Sequence, residues 1–493
     1  MTDIVPQPVQ AEIESKFGFI IKRRFAPLFV LLQTATFNDN ALKNALIALI
    51  TFGGIAFLSD LPSAIRVPVA GLIYTGPFLI ICAIAGQIAD KIDRGIILRW
   101  VKRVEVVIML IAALGFWLVD IRILAVSLGL MGAQSGFFSP TKNAVLPQWL
   151  TPKELIRGNA LLNGFVFVVI LVGQIGGTFL VLNSTMDAID LSGTKIASIF
   201  LFGVAVVGWI ASEFCPPAPP PEPKLNLVKD AFVGFVSIFT GLDPKSKKGQ
   251  KITDNPLGYI FGLIILPFTA TFSAIAKSFK APAVLRPMLG IAWFYGLSTV
   301  FVTTFPDYVA SVMNFNASVL IVMLVLSTLA ILVGSLFVML FGNWSIWGPE
   351  AVRLSALGIS GVVIFISAIV ILPSPTFSGE GLGTAEDFFA NPHAPLFLGA
   401  LVLSSIFNGI FVVPLQAMAQ RRADPANRAR LMSAGAVLLN LFVNLSTFGL
   451  IGLALLQLPP KSPFIMVVAG SCVVAAYAIY RSVKPIEHPT YNS

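Results

Sequence analysis

Apolar stretches recur at near-regular intervals along this chain, each bounded by charges, proline or glycine. A helix that crosses about 30 Å of hydrocarbon at about 1.5 Å per residue needs about 20 such residues. The pattern predicts six spans at 26–57, 67–89, 101–119, 123–146, 159–182 and 195–214. Six more follow a long gap, at 287–306, 316–341, 354–372, 395–418, 433–457 and 463–481. Strands of a membrane barrel would alternate over segments of about ten residues instead. The expected fold class is an all-α membrane protein with 12 transmembrane helices in two six-helix halves.

The stretch "NPLGYIFGLIILPFTATFSAIAKSF" at 255–279 disturbs that count, and the basic residues decide its place. With 255–279 at the membrane interface or re-entrant, all but six of the 33 Lys and Arg collect on one side. Arg66, Arg122, Lys195 and Lys461 fall on the other, and Lys43 and Lys142 lie within spans. If 255–279 spanned, Arg421, Arg422, Arg428 and Arg430 would cross over, against the positive-inside bias. Both termini are therefore expected in the cytoplasm. No cleavable signal is expected, because the polar first 24 residues lead through Lys22-Arg23-Arg24 straight into a full-length span.

Composition agrees, at 56% hydrophobic and 12% charged residues with a mean hydropathy of +0.87. The net charge of +9 is mostly the orientation signal, supplemented by a Lys-rich linker suited to anionic lipid headgroups. It does not imply nucleic acid. Cys82, Cys215 and Cys472 are isolated and read as buried small hydrophobes, so no metal or other cofactor is expected.

An internal echo supports the division. "FFSPTK" followed by "ALLNGF" (Phe137 to Lys142, Ala160 to Phe165) matches "FVVPLQ" followed by "VLLNLF" (Phe411 to Gln416, Val437 to Phe442). Parallel repeats joined by the Pro-rich "CPPAPPPEP" are the plan of a transporter. The expected organisation is a cytoplasmic segment 1–25, a first half 26–214, a linker with interfacial helix 215–286, a second half 287–481 and a tail 482–493.

"FNDNALKN", from Phe37 to Asn44, breaks the apolar pattern inside the first span. At 100° per residue Asp39, Asn40, Lys43 and Asn44 fall within an arc of about 140°, with Asn38 outside it. Asp39 and Lys43 stand at i, i+4 with the acid first, the favourable order for an ion pair. Neither charge belongs against lipid, so both are expected to face the bundle interior or a wet cavity. The readings are a substrate-binding face or a pair that braces the helix. Asp39 lies about 22 Å along the axis from Arg24, beyond the midplane.

Other spans carry polar stripes. Asn159, Asn163 and Gln174 share one face of the fifth, and Ser433, Asn440, Asn444 and Thr447 one face of the eleventh. Each is a candidate for substrate contact or for hydrogen bonds between helices. Lys142 either holds a phosphate or snorkels toward the interface. Trp293, Phe294 and Tyr295 read as packing, with Tyr295 able to donate to a headgroup. Few charges on an apolar wall suit an amphiphile better than a sugar. An acyltransferase with a His-x4-Asp motif is disfavoured, since His393 and His488 are followed at that spacing by Leu398 and Ser493. The chain is not expected to be an enzyme.

"GQIADKIDRG" between the second and third spans resembles the signature loop of the major facilitator superfamily. The resemblance implies a cytoplasmic gate built from Gly86, Asp90, Lys91 and Arg94, which Glu105 would join. The matching place in the second half, Gly334 to Asn343, keeps the glycine without the charges. "FNDNALKNALIALITF", "GFFSPTKNAVLP", "GNALLNGF" and "GIFVVPLQAMAQRR" together are similar to the bacterial lysophospholipid transporter family, including members fused to an acyltransferase and an acyl-acyl carrier protein synthetase. That resemblance implies a flippase-like carrier of the bacterial inner membrane, moving lysophosphatidylethanolamine or lysophosphatidylglycerol by alternating access. Lateral entry is implied between spans five and eight and between two and eleven. Asp39, Asn40, Lys43, Asn44, Lys142, Asn163, Tyr295, Asn440 and Asn444 are the expected substrate-binding residues. An acyltransferase is the expected functional partner, and a monomer the expected state. Free-standing members carry a basic residue near the position of Phe301, so this chain resembles the fused type more closely. The alternative is a facilitator exporter of drugs or other lipophilic molecules.

The charge pattern makes a topology prediction. A fluorescent protein fused after Ser493 is expected to fluoresce, and alkaline phosphatase fused after Pro459 to be active; the opposite pair of signals would invert the orientation.

Overall fold

The computed structural model describes residues 18–53, 62–150, 152–220, 282–341, 349–422 and 428–483. The predicted interfacial segment 255–279, most of the linker, and the side chains of Asp90 and Asn163 lie outside the described residues, as does any side-chain environment at Gly86. The described residues form thirteen α-helices: α1 (Ala26–Thr51), α2 (Ser63–Lys91), α3 (Arg94–Leu118), α4 (Ile121–Trp149), α5 (Pro152–Val181), α6 (Leu191–Glu213), α7 (Pro282–Asp307), α8 (Ala317–Phe341), α9 (Pro349–Ile371), α10 (Ala385–Ala390), α11 (Ala394–Arg421), α12 (Arg428–Leu455) and α13 (Ser462–Ser482). A π-helical turn, Tyr308–Val312, continues α7.

Twelve of these helices overlap the twelve predicted spans. The differences have local causes. Hydropathy stops at charges, whereas the helical backbone does not, so α3 starts at Arg94 and α5 at Pro152, about two turns earlier than expected. Asp93 begins α3 by accepting from the backbone of Gly95 and Ile96 at 2.8 and 3.2 Å. Asp120 and Asp190 cap α4 and α6 in the same way. The short α10 was legible in "TAED": Thr384 and Asp387 form a capping box. Hydrogen bonds from Thr384 hold the Asp387 carboxyl below its usual range. At the end of α9 the Lys461 ammonium donates to the carbonyls of Val370 and Leu372, at 2.9 and 2.5 Å, satisfying acceptors the helix leaves open.

Nine helices among the described residues are long and apolar enough to cross a membrane by length and composition. Polar residues keep α1 and α3 out of that set: Asn38, Asp39, Asn40, Lys43 and Asn44 in one, and Lys102, Arg103 and Glu105 in the other. The third long helix outside that set, α5, is counted as apolar only over Val168–Val181.

Helix pairing repeats along the chain. In the first six helices α1 packs on α5, α2 on α4 and α3 on α6; the corresponding later pairs are α7 on α12, α8 on α11 and α9 on α13. The sequence echo falls on matching helices, α4 with α11 and α5 with α12. Between the two groups α2 packs along α12, while α5 and α8 touch over a short length. At the charge-poor end the turn between α5 and α6 meets the start of α8. The Asn316 amide donates to the Thr185 carbonyl at 2.6 Å, and the Ala317 backbone N–H to the Met186 carbonyl at 3.2 Å.

Close helix approach depends on missing side chains. A Cβ built at Gly334 of α8 would overlap the Ile406 carbonyl oxygen of α11, which is backbone and cannot swing aside. Gly203 of α6, by contrast, faces open space. Gly334→Ala is therefore expected to destabilise the purified protein by about 1–3 kcal/mol, read as a lower thermal midpoint, while Gly203→Ala leaves that midpoint unchanged.

Candidate functional site

The site is a cavity of about 1010 Å³ between the two groups of helices, walled by α1, α2 and α5 on one side and α7, α8, α9, α11 and α12 on the other. Its lining is largely aliphatic and aromatic, with scattered hydroxyls and amides such as Ser298, Thr299, Ser404 and Asn408. Lys43 is the only charged residue among the described residues that line it. Several wall residues are also exposed: Val168 on α5, and Leu329, Leu332 and Leu336 on α8. They lie on the two helices that touch over only a short length. The α2–α12 seam is instead bonded, since Thr75 Oγ1 donates to Asn444 Oδ1 at 3.0 Å and Asn444 Nδ2 donates back to the Thr75 carbonyl at 3.4 Å.

The polar face of α1 divides between the cavity and the interior of the first six helices. Asn40 and Lys43 line the cavity. Asp39 does not pair with Lys43; it turns between α2 and α4, accepting from the Tyr74 hydroxyl at 2.9 Å and lying within 3.0 Å of Ser135 Oγ. Asn44 is buried and donates to the Asn40 carbonyl at 2.9 Å. Of the expected binding residues on other helices, Tyr295 lines the cavity, edge-on to Phe294 at 5.1 Å. Asn444 sits in the α2–α12 seam, and Asn440 is buried and donates to the Ala436 carbonyl at 2.9 Å. Lys142 packs its ammonium over the Phe138 ring at 5.7 Å. Phe301 lines the cavity and stacks near Phe305 and Phe464, at 5.3 and 5.7 Å, making this wall aromatic. Trp293 donates to Ser471 Oγ at 3.2 Å and so ties α7 to α13.

Behind Asp39 lies a cluster that sequence reading missed. Lys102 and Glu105, one turn apart on α3, form an ion pair at 2.8 Å with neither side chain exposed. Lys102 also donates to Thr34 Oγ1 at 3.3 Å and lies 5.9 Å from the Phe138 ring. Glu105 accepts from Asn38 at 3.3 Å and from Gln134 at 3.2 Å. By charge pattern Lys102 counts with the cytoplasmic loop cations, although it stands at the start of the predicted span 101–119; the structure buries it in the protein interior. Glu105 is likewise placed here, with Lys102, and not at the loop between α2 and α3. The available signal was the i, i+3 spacing of two opposite charges in an otherwise apolar helix.

At that loop, Arg94 is buried and donates through Nε to the Ala89 carbonyl at 3.0 Å, and Lys91 ends α2. The neighbouring Asp93 accepts from the Ala218 backbone N–H at 3.1 Å, and Ala218 accepts in turn from the Arg94 N–H at 2.9 Å. Trp149 Nε1 donates to the Pro217 carbonyl at 3.3 Å. The first residues of the Pro-rich linker are thus fastened across the ends of α3 and α4. Cys82 and Cys215 are buried as expected, but Cys472 on α13 is exposed.

The comparisons with known proteins can be set against this geometry. A model of the Major Facilitator Superfamily matches residues 41–383. The Lysophospholipid transporter LplT of Enterobacter sp. (strain 638) is 22% identical over 172 residues, which is 34% of this chain and 40% of that protein. Its counterpart in Citrobacter koseri is 23% identical over 172 residues with the same coverage. The matched region thus spans about two fifths of the length of these relatives. Among solved structures, a bacterial homologue of the human lysosomal transporter Spinster, inward-facing and unoccupied, aligns with a TM-score of 0.59 at 13% identity, covering 95% of this chain and 100% of that one. An auto-inhibited peptide transporter of the POT family aligns with a TM-score of 0.57 at 15% identity, covering 96% and 99%. At these identities the structural likeness carries the fold alone.

The buried pair makes a stability prediction. Lys102→Met leaves Glu105 uncompensated and is expected to cost about 3–5 kcal/mol. Lys102→Met with Glu105→Gln removes both charges while keeping an acceptor for Asn38 and Gln134, and should recover most of that loss in thermal unfolding of the purified protein.

Proposed function

The chain belongs to the major facilitator superfamily, and we propose that within it this protein is a lysophospholipid flippase of the bacterial inner membrane. The observation that carries this reading is the cavity: a mostly apolar chamber with one cation among its described lining residues and exposed apolar wall residues on α5 and α8, which touch only briefly. An acyl chain would extend through the α5–α8 seam into lipid while the phosphate meets Lys43, near Asn40 and Tyr295. Lysophosphatidylethanolamine and lysophosphatidylglycerol both present that phosphate, and the names of the weakly matching relatives point the same way. Twelve spans in two parallel-related halves would exchange the two openings by rocking about the central cavity, with the bonded α2–α12 seam closed in the conformation described. Asn163 and Lys142 are kept as further headgroup contacts, and Gly86, Asp90, Lys91 and Arg94 as the gate between α2 and α3. An acyltransferase that consumes the delivered lysolipid would give the flux its direction, and the transporter would work as a monomer.

A facilitator exporter of lipophilic drugs is the second reading, because the aromatic wall around Phe301 and Phe305 suits such molecules as well. A lone lysine disfavours lipophilic cations, so the two readings separate by charge. In proteoliposomes, labelled lysophosphatidylglycerol is expected to cross faster than in empty vesicles. Lys43→Gln should slow that movement by about tenfold, the equivalent of one charge-assisted contact of about 1.4 kcal/mol. Movement no faster than in empty vesicles, or equal movement by Lys43→Gln, overturns the proposal.

A further inference from the structure

We propose that the charge-rich end of the α3–α6 face is a binding site for the headgroup of an anionic phospholipid of the surrounding bilayer. The phosphate would lie between Arg23 and Arg99, with the acyl chains along the outer faces of α3 and α6. The site is independent of the lysolipid reading, since neither helix contributes to the described cavity wall.

The outer surface of these two helices shows where the bilayer lies. α3 and α6 pack along one another and expose an apolar stripe: Val104, Val107, Leu110 and Leu114 on α3, with Ile199 and Ile210 on α6. A stripe at spacings of three and four, on a protein that spans a membrane, faces hydrocarbon. Each end of it carries an exposed tryptophan beside a cation. Arg103 lies 5.4 Å from the centre of the Trp100 ring at one end, and Lys195 lies 5.3 Å from that of Trp117 at the other. The helix between Trp100 and Trp117 is about 25 Å long, close to a hydrocarbon core of about 30 Å. The two clamps thus sit at the two headgroup levels, where tryptophan is favoured.

At the Trp100 end three arginines converge on the last turn of α6. Arg103 donates to Glu213 through Nε and Nη2, at 3.0 and 2.8 Å, and Trp209 Nε1 donates to the same carboxylate oxygen at 2.9 Å. Arg23, from the segment before α1, donates through Nε to the Phe214 carbonyl at 2.9 Å and so caps α6. Arg99 donates through Nε to the Gly95 carbonyl at 3.1 Å. Its charge reaches both Glu213 and the Cys215 sulfur, and Cys215 also feels Arg23. Pro216 packs against Gly95, where a Cβ would overlap its carbonyl oxygen, so residues 214–216 bring Arg23 and Arg99 to one corner. The acids at that corner are already bonded, Glu213 to Arg103 and Trp209, and Asp93 to the backbone of Gly95, Ile96 and Ala218. With both Nε atoms committed to carbonyls, the terminal nitrogens of the Arg23 and Arg99 forks remain for an acceptor. A phosphate accepts from such forks in paired bonds. A zwitterionic headgroup would bring its own cation to these arginines, whereas phosphatidylglycerol brings net negative charge.

The test uses the full-length protein in phosphatidylcholine vesicles that contain the same mole fraction of dibrominated phosphatidylglycerol or of dibrominated phosphatidylcholine, whose chain bromines quench tryptophan on contact. Phosphatidylglycerol is expected to quench more, by a preference on the order of tenfold for two arginines at the headgroup level. Arg23→Gln with Arg99→Gln should remove that excess and leave quenching by phosphatidylcholine as it was, which shows the variant still folded in the bilayer. Trp100→Phe with Trp209→Phe should remove the excess as well, whereas Trp117→Phe should leave it. Equal quenching by the two lipids in the parent protein overturns the proposal, and so does an excess that survives either double variant. If the arginine variant does not fold, the tryptophan pair decides.

Discussion

A lysine and a glutamate that meet at 2.8 Å with neither side chain exposed set the constraint on which the first six helices depend. An isolated charge in that position would be prohibitive, and even a pair must have its remaining donors and acceptors satisfied. Thr34 and Asn38 on α1 and Gln134 on α4 provide those partners, so two helices are held to one rotation and one depth relative to α3. Ser135, next to Gln134, continues the cluster to Asp39, and Tyr74 brings in α2. The polar groups act as a registry device for four helices, which apolar packing alone would leave free to slide.

That same constraint shapes the cavity. With Lys102 and Glu105 used up inside the first half and Asp39 turned toward α2 and α4, Lys43 is left as the one charge on the described cavity wall. Among the described residues the second half contributes no opposing charge there; its wall offers Phe294, Tyr295, Phe301 and Phe305 with hydroxyls and amides between them. Charge is therefore concentrated on α1, while α7, α8 and α11 supply apolar area together with neutral polar groups. The two lateral seams differ as well. A side-chain bond between Thr75 and Asn444 closes one, whereas the other is bordered by the exposed cavity-wall residues Leu329, Leu332 and Leu336.

Much of the fold was legible because a bilayer leaves few ways to satisfy a backbone. Hydropathy found every long helix among the described residues, and the Pro-Asn echo identified which helices correspond. Where the reading fell short, the cause was a conflict between two local signals. Lys102 reads as a loop cation by charge and as a helical interior residue by position, and only its neighbours decide between them. Asp39 and Lys43 read as an ion pair by spacing, but Tyr74 and Ser135 come from helices 35 and 96 residues away and compete for the carboxylate. Asn444 reads equally as cavity wall or as seam, and the partner Thr75 lies 369 residues away.

The sequence by itself determined the helical membrane class, the places of the long helices among the described residues and the superfamily, since each depends on the order of residues within one helix or on a short motif. Tertiary structure alone decided which polar residues meet the cavity and which meet one another. Those choices rest on distances between helices distant in the chain, and a hydrogen bond of about 3 Å is set by packing that no single-helix pattern contains.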